Sequence, residues 1–247
     1  MPNFDVTVVQ DAGQVAVTAS DIVEARIRTR PDTVLALPTG RTPIPMYAEL
    51  GARWTAQRLS FTRARGFNLD EWVGVPAGVE GSYAKFMVDH FYRLVDLPLS
   101  GRFIPDGTAP NLDAECDRYE ELIRLMGGFD LAILGLGGNG HIGFNEPGTS
   151  FDSRTHVCEV AADTREANAY SFPSEECPTR ALSVGIRTIL DAREILLLVT
   201  GSSKARILAD ALTGPIDEAV PASILQRHPR VRVVADQAAA DLLPRSR

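Results

Sequence analysis

Short runs of aliphatic and β-branched residues recur along this chain, and longer stretches with helical periodicity separate them. The runs cover residues 6–9, 33–37, 65–69, 131–136, 156–160, 195–200 and 231–234. Most are continuous rather than alternating, which predicts strands buried on both faces. Helical stretches fall at 20–29, 43–57, 83–95, 112–126, 205–212 and 222–226. In the fourth of these, Leu112, Cys116, Tyr119, Leu122, Ile123 and Met126 repeat every three or four residues while the acids face elsewhere. Strand–helix alternation from end to end predicts an α/β fold with a mostly parallel sheet covered on both sides. No repeat or linker-like run divides residues 1–247, so a single domain is expected.

Charge and cysteine usage narrow the function classes. The 32 acidic against 25 basic residues leave a net charge of −7, which argues against nucleic acid as a partner. A small anionic substrate stays open, because a few local donors bind an anion whatever the global charge. The three cysteines, Cys116, Cys158 and Cys177, are odd in number and form no CxxC pair, which points to a reducing cytoplasm rather than a disulfide framework. The opening residues carry two acids and no basic segment ahead of an apolar run, unlike a secretory signal. The longest apolar stretch, 195–200, is far too short to span a bilayer. His90, His156 and His228 lack ligand spacing, so no metal site is expected.

In parallel sheets ligands sit beyond the carboxyl ends of the strands, which directs attention to the residues just after each run. After 33–37 comes Pro38-Thr39-Gly40-Arg41-Thr42-Pro43 and then a helix. Free N–H groups there suit a phosphate; a plain βα turn with a threonine cap is the alternative. After 65–69 come Asp70 and Glu71, whose side chains point in opposite directions in extended chain, so at most one faces the crevice. After 131–136 comes Gly137-Gly138-Asn139-Gly140-His141-Ile142-Gly143-Phe144-Asn145-Glu146. Its glycines let backbone approach a ligand closely, and the imidazole of His141 suits acid–base work. Glu146 is placed to fold back and orient it, although a structural histidine in a glycine loop is equally consistent. After 195–200 comes Gly201-Ser202-Ser203-Lys204, opening a helix. A lysine in a first turn opposes the helix macrodipole; a bound anion explains it, and so does simple solvation.

Taken together, LPTGRTP, FNLDEWVG, LGLGGNGHIGFNEPG and VTGSSKA resemble, in order and spacing, the glucosamine-6-phosphate deaminases, from about Leu35 to Val234. The resemblance implies a Rossmann-like three-layer α/β/α fold. It implies conversion of an amino-sugar phosphate, glucosamine 6-phosphate, with water to fructose 6-phosphate and ammonia, without metal or organic cofactor. It further implies Asp70 as the base that moves the C2 proton and His141 as the base that opens the pyranose ring. Asn139 and Glu146 then orient or polarise the histidine, and Thr39, Gly40, Arg41, Thr42 and Lys204 hold the phosphate. A cytoplasmic monomer or small homo-oligomer, without nucleic-acid or membrane partners, fits this picture.

Some positions depart from the family pattern. Asn139 stands where many members carry Asp, so histidine basicity rests on Glu146. Tyr170 replaces the arginine expected after the DTRxAN motif, and Arg41 fills a loop position usually held by a small residue, so its guanidinium is expected to take over the phosphate role. His156 and Cys158 replace the basic pair of the effector site of hexameric members, and their longer C-terminal segment is missing. Two rivals share the fold. The 6-phosphogluconolactonases resemble this chain in their GxxGH loop, but carry a TASLFPG-like run where IGFNEPG stands here. Sugar-phosphate sensors normally place a DNA-binding helix-turn-helix ahead of the sugar domain, whereas the first run here begins at Val6.

Overall fold

The computed structural model describes residues 4–172 and 176–244. The continuous apolar runs pair into one all-parallel sheet of seven strands. Across the sheet the order is β1 (Phe4–Val9), β10 (Val231–Asp236), β9 (Ile195–Val199), β6 (Leu131–Gly135), β2 (Val34–Leu37), β3 (Arg65–Asn68) and β5 (Arg102–Phe103). Successive side chains of a strand point to opposite faces, and the core divides accordingly. Val34, Ala36, Leu134 and Leu197 pack with Tyr119 and Ile123 of α4 (Leu112–Leu125), Ile189 of α6 (Ile186–Leu190) and Leu208 of α7 (Ala205–Thr213). Leu35, Leu37, Ile133 and Leu198 pack with Val23 of α1 (Ala12–Thr29) and Met46 and Leu50 of α2 (Ile44–Thr55). Both layers of helices cover the apolar faces of the central strands, giving the three-layer α/β/α arrangement.

Two runs behave differently from the expectation of burial on both faces. β1 is an edge strand, with Val6 39% and Val8 49% exposed, because only β10 covers one of its sides. Residues 156–160 do not join the parallel sheet. Their strand, β7 (His156–Glu159), belongs to a small antiparallel sheet with β8 (Arg180–Ser183) and β4 (Asp70–Trp72). Trp72, Tyr83, Phe144 and Phe172 pack beneath that sheet.

Some helix boundaries also shift. α1 starts at Ala12 rather than at residue 20, because the Asp11 carboxylate accepts the Gln14 N–H at 2.9 Å and caps it. The stretch 83–95 is helical only as α3 (Tyr83–Met87), followed by a π turn, Val88–Tyr92. The stretch 222–226 lies within a 3₁₀ helix, Pro221–Arg227, rather than an α-helix.

The sheet also creates a gap. β2 and β6 pair only through Leu35–Leu131 and Ala36–Ala132. In the sheet β3 lies beyond β2 on one side and β9 beyond β6 on the other, and the chain passes through β7 and β8 of the small sheet between β6 and β9. Such a switch in strand order is where crevices open in α/β sheets.

Candidate active site

A cleft of about 660 Å³ lies over the carboxyl ends of β2, β3, β6 and β9. That is ample for a small phosphorylated molecule. Each of the four strand ends delivers a loop into it. The loop after β2 brings Thr39, Gly40, Arg41 and Thr42 to the wall. It is tied down by the Tyr47 hydroxyl, which donates to the Pro38 carbonyl at 2.6 Å. Gly40 has φ +93°, a left-handed conformation that a side chain would strain.

Asp70 and Glu71 begin the short strand β4, and strand geometry sends them to opposite sides. The 6% exposed Asp70 lines the cleft floor, and among the described residues its Oδ1 has no hydrogen-bond partner. Glu71 turns away and accepts main-chain N–H groups from Trp72 (2.9 Å), Tyr83 (2.8 Å) and Ala84 (2.8 Å). Burial and then the neighbouring Glu71 push the Asp70 carboxyl up to about 8, with the Thr39 hydroxyl pulling weakly the other way. Burial also pushes Glu71 up to about 7, against its three main-chain donors.

The glycine loop after β6 holds His141 at the cleft, while Asn139 and Glu146 stand behind it. Asn139 Nδ2 donates to Glu146 Oε2 at 2.7 Å, which turns its Oδ1 toward His141 Nδ1 at 2.9 Å. An acceptor there requires the proton on Nδ1, leaving Nε2 with its lone pair. Glu146 Oε2 lies 3.5 Å from Nδ1 as well. Burial raises the Glu146 carboxyl, but bonds from His141, Thr164 and Asn139 outweigh it and hold the group below its usual range. Gly137 is required by contact: a Cβ there would lie 2.3 Å from His141 Nδ1. The far end of the loop is anchored by Asn145, whose Nδ2 donates to the carbonyls of Ile142 (2.8 Å) and Val184 (2.9 Å).

After β9, the Asp236 carboxylate accepts the Gly201 N–H at 2.9 Å and so orients the turn that carries Lys204. Lys204 lines the cleft half-buried, and burial lowers its ammonium from the usual lysine value. No carboxylate contributes to that shift.

The structure thus brings Thr39, Gly40, Arg41, Thr42, Asp70, His141 and Lys204 to one cleft, with Asn139 and Glu146 in the layer behind His141. Three further participants escape a reading of the sequence alone. Thr164 of α5 (Ala162–Asn168) lies 3.3 Å from His141 Nδ1, Asp163 reaches Asn139 at 3.5 Å, and buried Tyr83 forms part of the wall. The segment DTREANAY carries a signal for the first two, since it belongs to the family pattern. Nothing in the chain around Tyr83 marks it. Among the described residues no group of three or more histidine, cysteine or acidic side chains is arranged around a metal position, and no helix is long and apolar enough to cross a membrane.

Comparison with known proteins accords with this layout. The profile described as "Glucosamine-6-phosphate isomerases/6-phosphogluconolactonase" matches residues 9–234. A glucosamine-6-phosphate deaminase of Geobacillus sp. is 46% identical over 227 residues, covering 92% of this chain and 90% of that protein. Glucosamine-6-phosphate deaminase 1 of Bacillus subtilis is also 46% identical over 227 residues, 92% of this chain and 94% of its own. A solved structure described as a monomeric glucosamine-6-phosphate deaminase superposes with a TM-score of 0.94 at 44% identity, covering 96% of this chain and 99% of that one. A 6-phosphogluconolactonase from Trypanosoma cruzi, at 21% identity, TM-score 0.81 and coverage of 99% and 98%, shares the fold. With the match running from the end of β1 to the last strand, the chain belongs to the glucosamine-6-phosphate isomerase/6-phosphogluconolactonase family.

Proposed function

We propose that this protein is a glucosamine-6-phosphate deaminase, converting glucosamine 6-phosphate and water to fructose 6-phosphate and ammonia. The observation that carries the reading is the pairing, in one cleft, of a buried carboxyl with an unpartnered oxygen and a histidine whose outer nitrogen is left free. The two groups suit two different proton transfers. His141 Nε2 takes the proton of the anomeric hydroxyl and passes it to the ring oxygen as the C1–O5 bond breaks, which releases the open aldehyde. Only then is the C2 proton acidic enough for Asp70 to remove. A proton of the substrate's C2 ammonium moves to O1 and Asp70 returns the C2 proton to C1, which leaves an iminium at C2. Water adds there, its proton passes to the nitrogen, and ammonia departs as the C2 carbonyl forms. Desolvation makes Asp70 a stronger base than an exposed carboxylate. Glu146 and Asn139 stabilise the imidazolium formed in the first step.

The phosphate end of the substrate is assigned to Thr39, Gly40, Arg41, Thr42 and Lys204, where hydroxyls, loop N–H groups and two cations meet. Lys204 is half-buried without a carboxylate partner among the described residues, which favours an anion at that position. The reading takes residues 1–247 as one domain acting in the cytoplasm on an amino-sugar phosphate, as a monomer or small homo-oligomer, without nucleic acid or membrane. Incubating pure protein with glucosamine 6-phosphate and measuring ammonia and fructose 6-phosphate tests it. Ammonia release with a turnover above the Asp70→Asn variant supports the reading, and lactone hydrolysis without ammonia release refutes it.

A further inference from the structure

Arg41 and Tyr170 reach toward each other from separate elements of the cleft. Arg41 follows β2, whereas Tyr170 sits on the 3₁₀ turn Ala169–Ser171 that continues α5. The guanidinium carbon lies 4.1 Å from the centroid of the tyrosine ring, and both residues line the cleft. Among the described residues Arg41 makes no ion pair with a carboxylate, although the chain carries more acids than bases. Stacking occupies the flat face of a guanidinium and leaves its N–H edge available. An arginine held by an aromatic face, and left without a carboxylate, is therefore a donor fork waiting for an anion. Lys204 supplies a second cation from the loop after β9.

The geometry points to the Arg41–Tyr170 stack as the element that selects for the phosphate-bearing end of the substrate, with Tyr170 as the positioning residue that fixes the plane of the guanidinium. This deepens the proposed deaminase reading and rests on it. A free arginine on a loop loses rotamer freedom when it closes on a ligand, and the ring removes part of that loss beforehand. The face of the ring carries this role rather than the hydroxyl, because the contact is with the ring. The turn bearing Tyr170 is continuous with α5, whose Thr164 braces His141. The anion end and the histidine end of the cleft thus share one structural element.

The test uses Tyr170→Phe, Tyr170→Ala, Arg41→Gly and the double variant Tyr170→Ala/Arg41→Gly. Two readouts run in parallel: binding of inorganic phosphate by calorimetry, and KM and kcat for glucosamine 6-phosphate from ammonia release. Tyr170→Phe keeps the ring and is expected to match the parent within about twofold. Tyr170→Ala is expected to weaken phosphate binding and raise KM by about three- to fivefold, the upper part of the range of a cation–π contact at an exposed site, with kcat within about twofold. In the Arg41→Gly background the same change is expected to add nothing, because the ring acts through the guanidinium. Parent-like affinity in Tyr170→Ala, an undiminished effect of Tyr170→Ala without Arg41, or an equal loss in Tyr170→Phe each overturns the proposal. If the parent releases no ammonia, the deaminase reading fails instead, and the phosphate titration still reads the stack.

Discussion

Asp70 and Glu71 stand back to back in β4, and their carboxyls serve opposite ends. Glu71 is engaged by three main-chain N–H groups, two of which, from Tyr83 and Ala84, open α3. Asp70 keeps one oxygen unpartnered at the floor of the cleft. One carboxylate thus builds the wall while its charge raises the basicity of the other.

Asp70→Asn is expected to lower kcat by about 10²–10⁴, the scale of a lost general base, with KM little changed. Steady-state kinetics checks this, and near-parent turnover would remove Asp70 from the mechanism. The same variant carries a stability signature. Asp70 has its usual value of 3.8 when unfolded and about 8 when folded. Between these values the folded chain holds a proton that the unfolded chain has released, so rising pH costs the parent stability. The asparagine variant escapes that cost. Its advantage over the parent is expected to grow from about pH 4 to about pH 8, by on the order of 1–4 kcal/mol. Urea denaturation at the two ends of that window reads the difference.

Glu71→Gln removes the like charge that helps raise Asp70. In the proposed mechanism ionised Asp70 is the active form, so kcat/KM is expected to rise with pH, and the midpoint of that rise is expected at lower pH in the variant. An amide offers one acceptor oxygen where the carboxylate offered two, which costs about 1–3 kcal/mol of stability for a buried N–H left bare. A pH–rate profile with thermal melts separates the two effects, and an unmoved midpoint would show that the acids are not coupled.

Much of this site was legible along the chain because each contribution lies within a few residues of a strand end. The opposed directions of Asp70 and Glu71 follow from extended geometry alone, and the fold class follows from continuous apolar runs. The small antiparallel sheet was not legible. Asp-Glu-Trp and Arg-Ala-Leu-Ser are too short to show a period, and the run 156–160 carries no mark of which sheet it joins. The edge exposure of β1 depends on where β10 docks, a contact more than two hundred residues away along the chain. The bracing of His141 by Thr164 likewise arises from packing between distant segments. Local pattern names elements and their ends, while partners across the sheet belong to the tertiary fold.

His141→Gln is expected to slow turnover of the cyclic amino sugar by about 10²–10⁴. The reverse reaction starts from an open keto form, which has no ring to open, and is expected to lose less. Forward and reverse rates measured on one preparation decide the point. Equal losses in both directions would assign the histidine to binding or structure.

Gly137→Ala puts a methyl group 2.3 Å from the imidazole. The ring must move off its Asn139 contact, so activity is expected to fall at least tenfold, an order-of-magnitude expectation for a misplaced acid–base group. The sheet beneath is untouched, and the far-ultraviolet circular dichroism is expected to match the parent. Parent-like kinetics would show that the histidine tolerates a different rotamer.

β2 and β6 part company after two ladder pairs, and so the hollow above them is a product of connectivity that no single side chain sustains. The apolar strands below keep their packing whatever the overhanging turns contain. This makes the sheet a socket into which other turns can be fitted. A designer wishing to redirect the protein toward a different sugar phosphate would retain β2, β3, β6 and β9 and graft only the segments that follow them.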